Sequence, residues 1–254
     1  MWQPLFASLA FVGCALADIP ETYHGRVGRT ILAVPSAIAG SVLYDGETDW
    51  AAPEKPKSNR TDQDVIKSIQ FFVDLDQPGH IITDQAARER LVERGAVLHL
   101  PAVFGHVLGI TVNFGTETQK SAVAIRAQFN SYSFAPAFRA LQRAPSEYGL
   151  ETRRADWSKP VKGREHHGIG MFDVDVDYLS EAENIYIYCN DARQHVAPFA
   201  PMPTCQFKIV VPEFEGVISG VIDRGDVSNW RNLRASALAT LHSFVAASAV
   251  PVKY

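Results

Sequence analysis

The sequence predicts an α+β protein of antiparallel sheets with packed helices, arranged as two subdomains, with a C-terminal amphipathic helix on the second sheet. Three observations predict it. Ile69, Phe71, Val73 and Leu75 fall at every second position, the period of a strand with one buried face. The second half is a succession of short apolar, β-branched runs at 184–189, 205–211 and 217–222. Between 227 and 246, Trp230, Leu233, Ala237, Leu241, Phe244 and Val245 recur at steps of three and four, the stripe of a helix lying on a core.

Taken in order, 28–44 reads as extended, with Ile31 to Val34 and Ser41 to Tyr44 separated by Pro35-Ser36. The stretch 45–61 holds Pro53, Pro56, Lys55, Lys57, Ser58 and Asn59 without apolar periodicity and reads as a solvated loop. The strand at 68–75 is followed by a helix at 86–94, capped by Thr83 or Asp84 and closed at Gly95. Segments 96–114 and 121–129 read as strands, the second from the alternation of Val123, Ile125, Ala127 and Phe129. A short helix is expected at 136–143, stopped by Ala144-Pro145. The polar connection that follows places the internal boundary, giving subdomains 18–150 and 151–254. Strands then run at 171–179, 184–189, 205–211 and 217–222, and the last helix takes its N-cap from Asp226 or Ser228.

Residues 1–17 carry no charge, are mostly apolar and end in Ala15-Leu16-Ala17, the pattern of a secretory signal cleaved after Ala17. The apolar run from Leu5 to Cys14 is too short to span a bilayer. A second reading takes Phe11-Val12-Gly13-Cys14 as a degenerate lipobox, with Cys14 lipidated and the protein held on the outer membrane; only then would it touch a membrane. Either way the chain is expected in the periplasm. Its formal net charge of -4, from 24 Lys and Arg against 28 Asp and Glu, excludes an electrostatic nucleic-acid binder.

Once the signal is removed, Cys189 and Cys205 remain, an even pair in an oxidising compartment. A disulfide is the natural inference, with two free buried thiols as the alternative. The bridge would close a loop of about 15 residues and contribute about 3 kcal/mol.

The sequence contains no Gly-x-Ser-x-Gly elbow, no phosphate-binding or dinucleotide glycine motif and no His-Glu-x-x-His. No catalytic, cofactor-binding or metal-ligating residue is expected, and the protein is not expected to be an enzyme. The one suggestive cluster is Asp173, Asp175 and Asp177, shortly after His166-His167. Strand alternation accounts for it more simply, turning Phe172, Val174, Val176 and Tyr178 inward and the aspartates to water on an edge strand.

The second half resembles the immunity proteins that bacteria pair with lipase effectors of the type VI secretion system. The features are Tyr148-Gly149-Leu150, a strand pair ending at Cys189, Cys205 opening the strand to Val211, the strand at 217–222, and the Ser228-Asn229-Trp230-Arg231 helix start. The resemblance covers 145–246, with 29–34 and 69–75 matching the family's first half. It implies a periplasmic inhibitor that binds a cognate secreted lipase or phospholipase toxin and protects the producing cell. For such a partner the expected contacts are Tyr44, Asp45, Glu47, Asp49 and Trp50, and, in the loop 153–167, Trp157 and Arg164. An exported enzyme or an envelope binding protein with an unrecognised site is the alternative.

Overall fold

The computed structural model of the chain describes residues 21–47, 59–74, 103–104, 107–115, 121–131, 141–156, 174–190 and 204–246. It begins with an antiparallel hairpin, β1 (Thr22–Val27) and β2 (Thr30–Pro35). Then come β3 (Ala39–Tyr44), β4 (Ile66–Asp74), β5 (Val103–Phe104), β6 (Val107–Phe114), β7 (Leu141–Glu147), β8 (Leu150–Ala155), β9 (Val174–Ser180), β10 (Ile185–Asn190), β11 (Thr204–Val211) and β12 (Gly216–Asp223). These build one antiparallel sheet in the order β3-β4-β6-β12-β11-β10-β9-β8-β7, with β5 paired to β6. Two α-helices are described, α1 (Ala122–Ser131) and α2 (Trp230–Ser243). The α+β expectation holds in outline, although the described residues are mostly sheet.

Alternation along the strands gives the large sheet two unlike faces. One presents Phe71, Val112, Ile218, Phe207, Ile187 and Val176, all buried, to the stripe of Trp230, Leu233, Ala237, Leu241 and Phe244 on α2. Phe71 and Phe244 meet edge to face at 5.7 Å. Leu32 and Val34 of the small hairpin join the same core. The hairpin is pinned there by backbone bonds from Ala33 to Phe244 and from Ala246 to Ile31. Gly25 permits its approach, since a Cβ there would lie 2.5 Å from Ile66 Cγ1 and 2.9 Å from the Asp64 carbonyl. Each large side chain fully buried here contributes roughly 1.5–3 kcal/mol. The opposite face is smaller and wetter, gathering Leu179, Tyr186, Val210 and Val217 under Ala122 and Ile125 of α1.

Several expectations are corrected. Segment 121–129 is helix, not strand: the Ser121 hydroxyl accepts the Ala124 N–H at 3.1 Å, capping a turn of good helix formers. Ala122, Ile125 and Arg126 are buried while Val123 is exposed, so a helical stripe, not the alternation, meets the sheet. Of the helix expected at 136–143, Leu141 to Arg143 lie in β7, where Pro145 is tolerated because β7 is the outermost strand and its register shifts after Ala144. The caps Asp226 and Ser228 are not used; a 3-10 helix over Arg224–Asn229 runs straight into α2, and Asn229 makes no side-chain cap bond.

Strand β1 was not anticipated, although the run Ile31 to Val34 of its partner β2 was. The expected division at 150/151 falls within β8, just after its first residue Leu150, and the large sheet carries strands from both sides of it. The signal segment 1–17 with Cys14, the helix at 86–94 and residues 48–58 of the loop 45–61 lie outside the described residues.

Candidate functional site

Cys189 and Cys205 stand directly opposite one another on β10 and β11 and are joined in a disulfide, buried in the dry face. Antiparallel register does the positioning: once β10 and β11 pair through Ile185 and Ile209, the two thiols fall at the same rung.

The expected contact residues separate into two groups. Tyr44 and Glu47 are buried. The Tyr44 hydroxyl donates to the His24 carbonyl at 2.9 Å, and its N–H donates to Glu47 Oε2 at 3.0 Å. Arg60 lies 4.6 Å over the Tyr44 ring, 2.6 Å from Glu47 and 3.1 Å from Asp64. Burial pushes the Tyr44 phenol pKa up. These side chains therefore tie the two ends of a loop to the hairpin. Asp45 is exposed. Asp49, Trp50, Trp157 and Arg164 lie outside the described residues, as do His166, His167 and Asp173.

The aspartate strand departs most from expectation. β9 is not an edge; it runs between β8 and β10. Val174, Val176 and Tyr178 face the core as expected, but Asp177 is fully buried on the other face. Arg153 clamps it with Nε at 3.0 Å and with Nη2, Arg126 reaches it from α1 at 3.3 Å, and the Tyr186 hydroxyl donates at 3.4 Å. Arg126 is shared with Glu151 at 2.8 Å, and that hydrogen bond holds the Glu151 carboxyl below its ordinary range. Asp175 pairs with Arg224 at 2.5 Å. Asp177 and Glu151 thus hold Arg126 of α1 against the sheet, and the carboxylates of Asp175 and Asp177 are both paired with guanidinium groups. Among the described residues, no group of three His, Cys, Asp or Glu is placed to hold a metal ion.

A second constellation forms at the β7–β8 turn. Tyr148 and Gly149 have φ of 55° and 76°, the two-residue turn that matches strand twist. Two donors from α2 converge on the Tyr148 carbonyl: Trp230 Nε1 at 3.0 Å and Arg231 Nη1 at 3.3 Å. The Arg231 guanidinium also lies 4.5 Å over the Trp230 ring. Gly149 leaves room for it, since a Cβ there would sit 2.6 Å from Arg231 Nη2. The Tyr148 ring leans on Tyr178 at 6.0 Å yet is 45% exposed. Sequence reasoning noticed both segments but did not place them together; the Tyr-Gly pair between two runs was the available signal.

No protein-family model matches the sequence. No curated protein matches it either. The fold is similar to that of an immunity protein of the Stenotrophomonas maltophilia type IV secretion system. The TM-score is 0.56 at 12% identity, over 89% of this chain and 94% of that one. At such identity the likeness is one of fold, and its coverage makes it a likeness of the whole architecture rather than of one motif. Among the described residues, no helix is long and apolar enough to cross a membrane.

Proposed function

We propose that this chain is a periplasmic immunity protein, which binds a toxin delivered by a secretion system and blocks it before it harms the producing cell. The observation that carries the reading is the shared architecture with a secretion-system immunity protein over nearly the whole of both chains. Supporting it are the cross-strand disulfide, which suits an oxidising compartment, and the absence of the sequence motifs that nucleophilic hydrolysis or nucleotide chemistry would need. An inhibitor acts by binding and needs a rigid scaffold instead of a catalytic group.

The finer reading is that the toxin is a lipase or phospholipase of a type VI system, as the sequence resemblance implies. The similar structure serves a type IV system, so the delivering machine and the toxin's chemistry are separate questions from neutralisation. The test is to produce the product of the adjacent gene in the periplasm of a bacterial host, with and without this chain. Growth arrest relieved by co-production, together with a stable complex, is the expected result. Arrest that persists, with no complex, would overturn the reading. A phospholipase assay on the same purified toxin decides the finer point by itself.

A further inference from the structure

Two of the segments in the sequence resemblance, Tyr148-Gly149 and Trp230-Arg231, lie far apart in the chain and meet at one carbonyl. We propose that this tip is the surface that engages the neutralised toxin, with Tyr148 and Arg231 as its anchors and a carboxylate-bearing loop of the toxin as their ligand. The inference rests on the immunity reading and adds to it a place and a partner chemistry.

Tyr148 is the first argument. Its backbone lies in the left-handed region, which Asn or Gly adopts with less strain than a bulky residue. Asn would make the same turn more easily, so turn formation does not account for an aromatic side chain there. The ring is nonetheless held outward, more exposed than the other exposed large hydrophobics described, Val65 and Val123. A tyrosine on a turn fixed by two hydrogen bonds loses little freedom when a partner covers it.

Arg231 is the second. Its neighbours Arg154, Arg224 and Arg234 each hold a carboxylate, on Glu147, Asp175 and Glu183. Arg231 pairs with none among the described residues; it is stacked on Trp230 and donates one hydrogen bond to a neutral carbonyl. That leaves a pre-positioned guanidinium fork with donors to spare, the geometry that takes a carboxylate bidentately. A rigid aromatic beside an unclaimed arginine is the composition in which binding energy concentrates at protein interfaces.

The experiment measures binding of the mature chain, residues 18–254, to the purified product of the adjacent gene by titration calorimetry. Tyr148→Asn keeps the turn and removes the ring; Arg231→Glu reverses the charge; Arg231→Lys keeps the charge and removes the fork; Val123→Ser is the distant control. Tyr148→Asn and Arg231→Glu should each weaken binding by about 30-fold or more. Arg231→Lys should fall between Arg231→Glu and wild type, and Val123→Ser should bind as wild type. Melting curves confirm that Tyr148→Asn stays folded. Wild-type binding with both anchor variants within twofold of it would overturn this assignment alone. No complex even with wild type would overturn the immunity reading and this assignment with it.

Discussion

The two faces of the large sheet use opposite means to hold a helix. The dry face packs α2 through Trp230, Leu233, Leu241 and Phe244 against Phe71, Phe207 and Ile218, with the disulfide in the same layer. The other face holds α1 through few apolar contacts, Ala122 and Ile125 on Leu179 and Tyr186, and through the buried carboxylate of Asp177 shared by Arg126 and Arg153. Burial alone would favour an uncharged Arg153, and the hydrogen bonds and charge of Asp177 together reverse that and raise its pKa. A hydrophobic stripe tolerates sliding and repacking, whereas an ion pair between fixed strands and one helix position sets register. The difference separates stability from placement.

Substitutions on each face sharpen that contrast. The largest losses should come from Phe207→Ala in the dry core and Asp177→Ala on the other face, each roughly 3–5 kcal/mol, for different reasons. The first leaves a cavity; the second leaves the partly buried Arg153 without its carboxylate and the buried Arg126 with Glu151 alone. Chemical denaturation would read both, and Asp177→Ala should also free α1 to exchange its amide hydrogens. If charge serves placement, the pair Asp177→Leu with Arg153→Met should cost little stability, because replacing a buried ion pair by apolar groups is close to neutral. Arg126 keeps Glu151 in that variant. A loss as large as that of the single variant would mean that the ion pair contributes to stability and not to placement alone.

Removing the bridge by Cys189→Ala with Cys205→Ala should cost about 3 kcal/mol, measured from the shift in denaturation midpoint under oxidising conditions. Lys208, beside Tyr186 on the wetter face, has its pKa lowered by burial. A lysine less basic in the fold binds fewer protons there than when unfolded, so wild-type stability rises with pH between the lowered value and the ordinary 10.5. Lys208→Met should therefore be more stable than wild type at neutral pH, with the gap closing as pH approaches 10.5. The buried tyrosines act in the opposite sense above pH 10, and Tyr178, pushed up mainly by burial to about 12, is one of them; their effect is common to both proteins and cancels.

The smallest effect belongs to Glu151. Its lowered pKa gives stability present above the ordinary 4.5 and lost as pH falls through the folded value. Because Glu151 is half exposed, Glu151→Gln should change stability by less than about 1 kcal/mol, and only the acid limb of the pH profile should move.

The dry face was legible in the amino-acid pattern alone. Period-two runs at β4, β10, β11 and β12 and the stripe on α2 say which residues point inward, because burial of one face imposes a period that no neighbour can change. The sequence also anticipated the bridge, since Cys189 and Cys205 are the two cysteines that lie beyond the first 17 residues. Tertiary structure alone decided the rest. Residues 121–129 satisfy both strand and helix patterns, and the narrow apolar strip of Leu179, Tyr186 and Val210 selects the helix. Asp177 looks like a solvated residue until Arg126 and Arg153, distant in the chain, enclose it. Tyr44 and Glu47 look like loop contacts until Arg60 folds over them. For Asp177 and Glu47 the local pattern records only polarity, and polarity points to water unless a distant opposite charge replaces it.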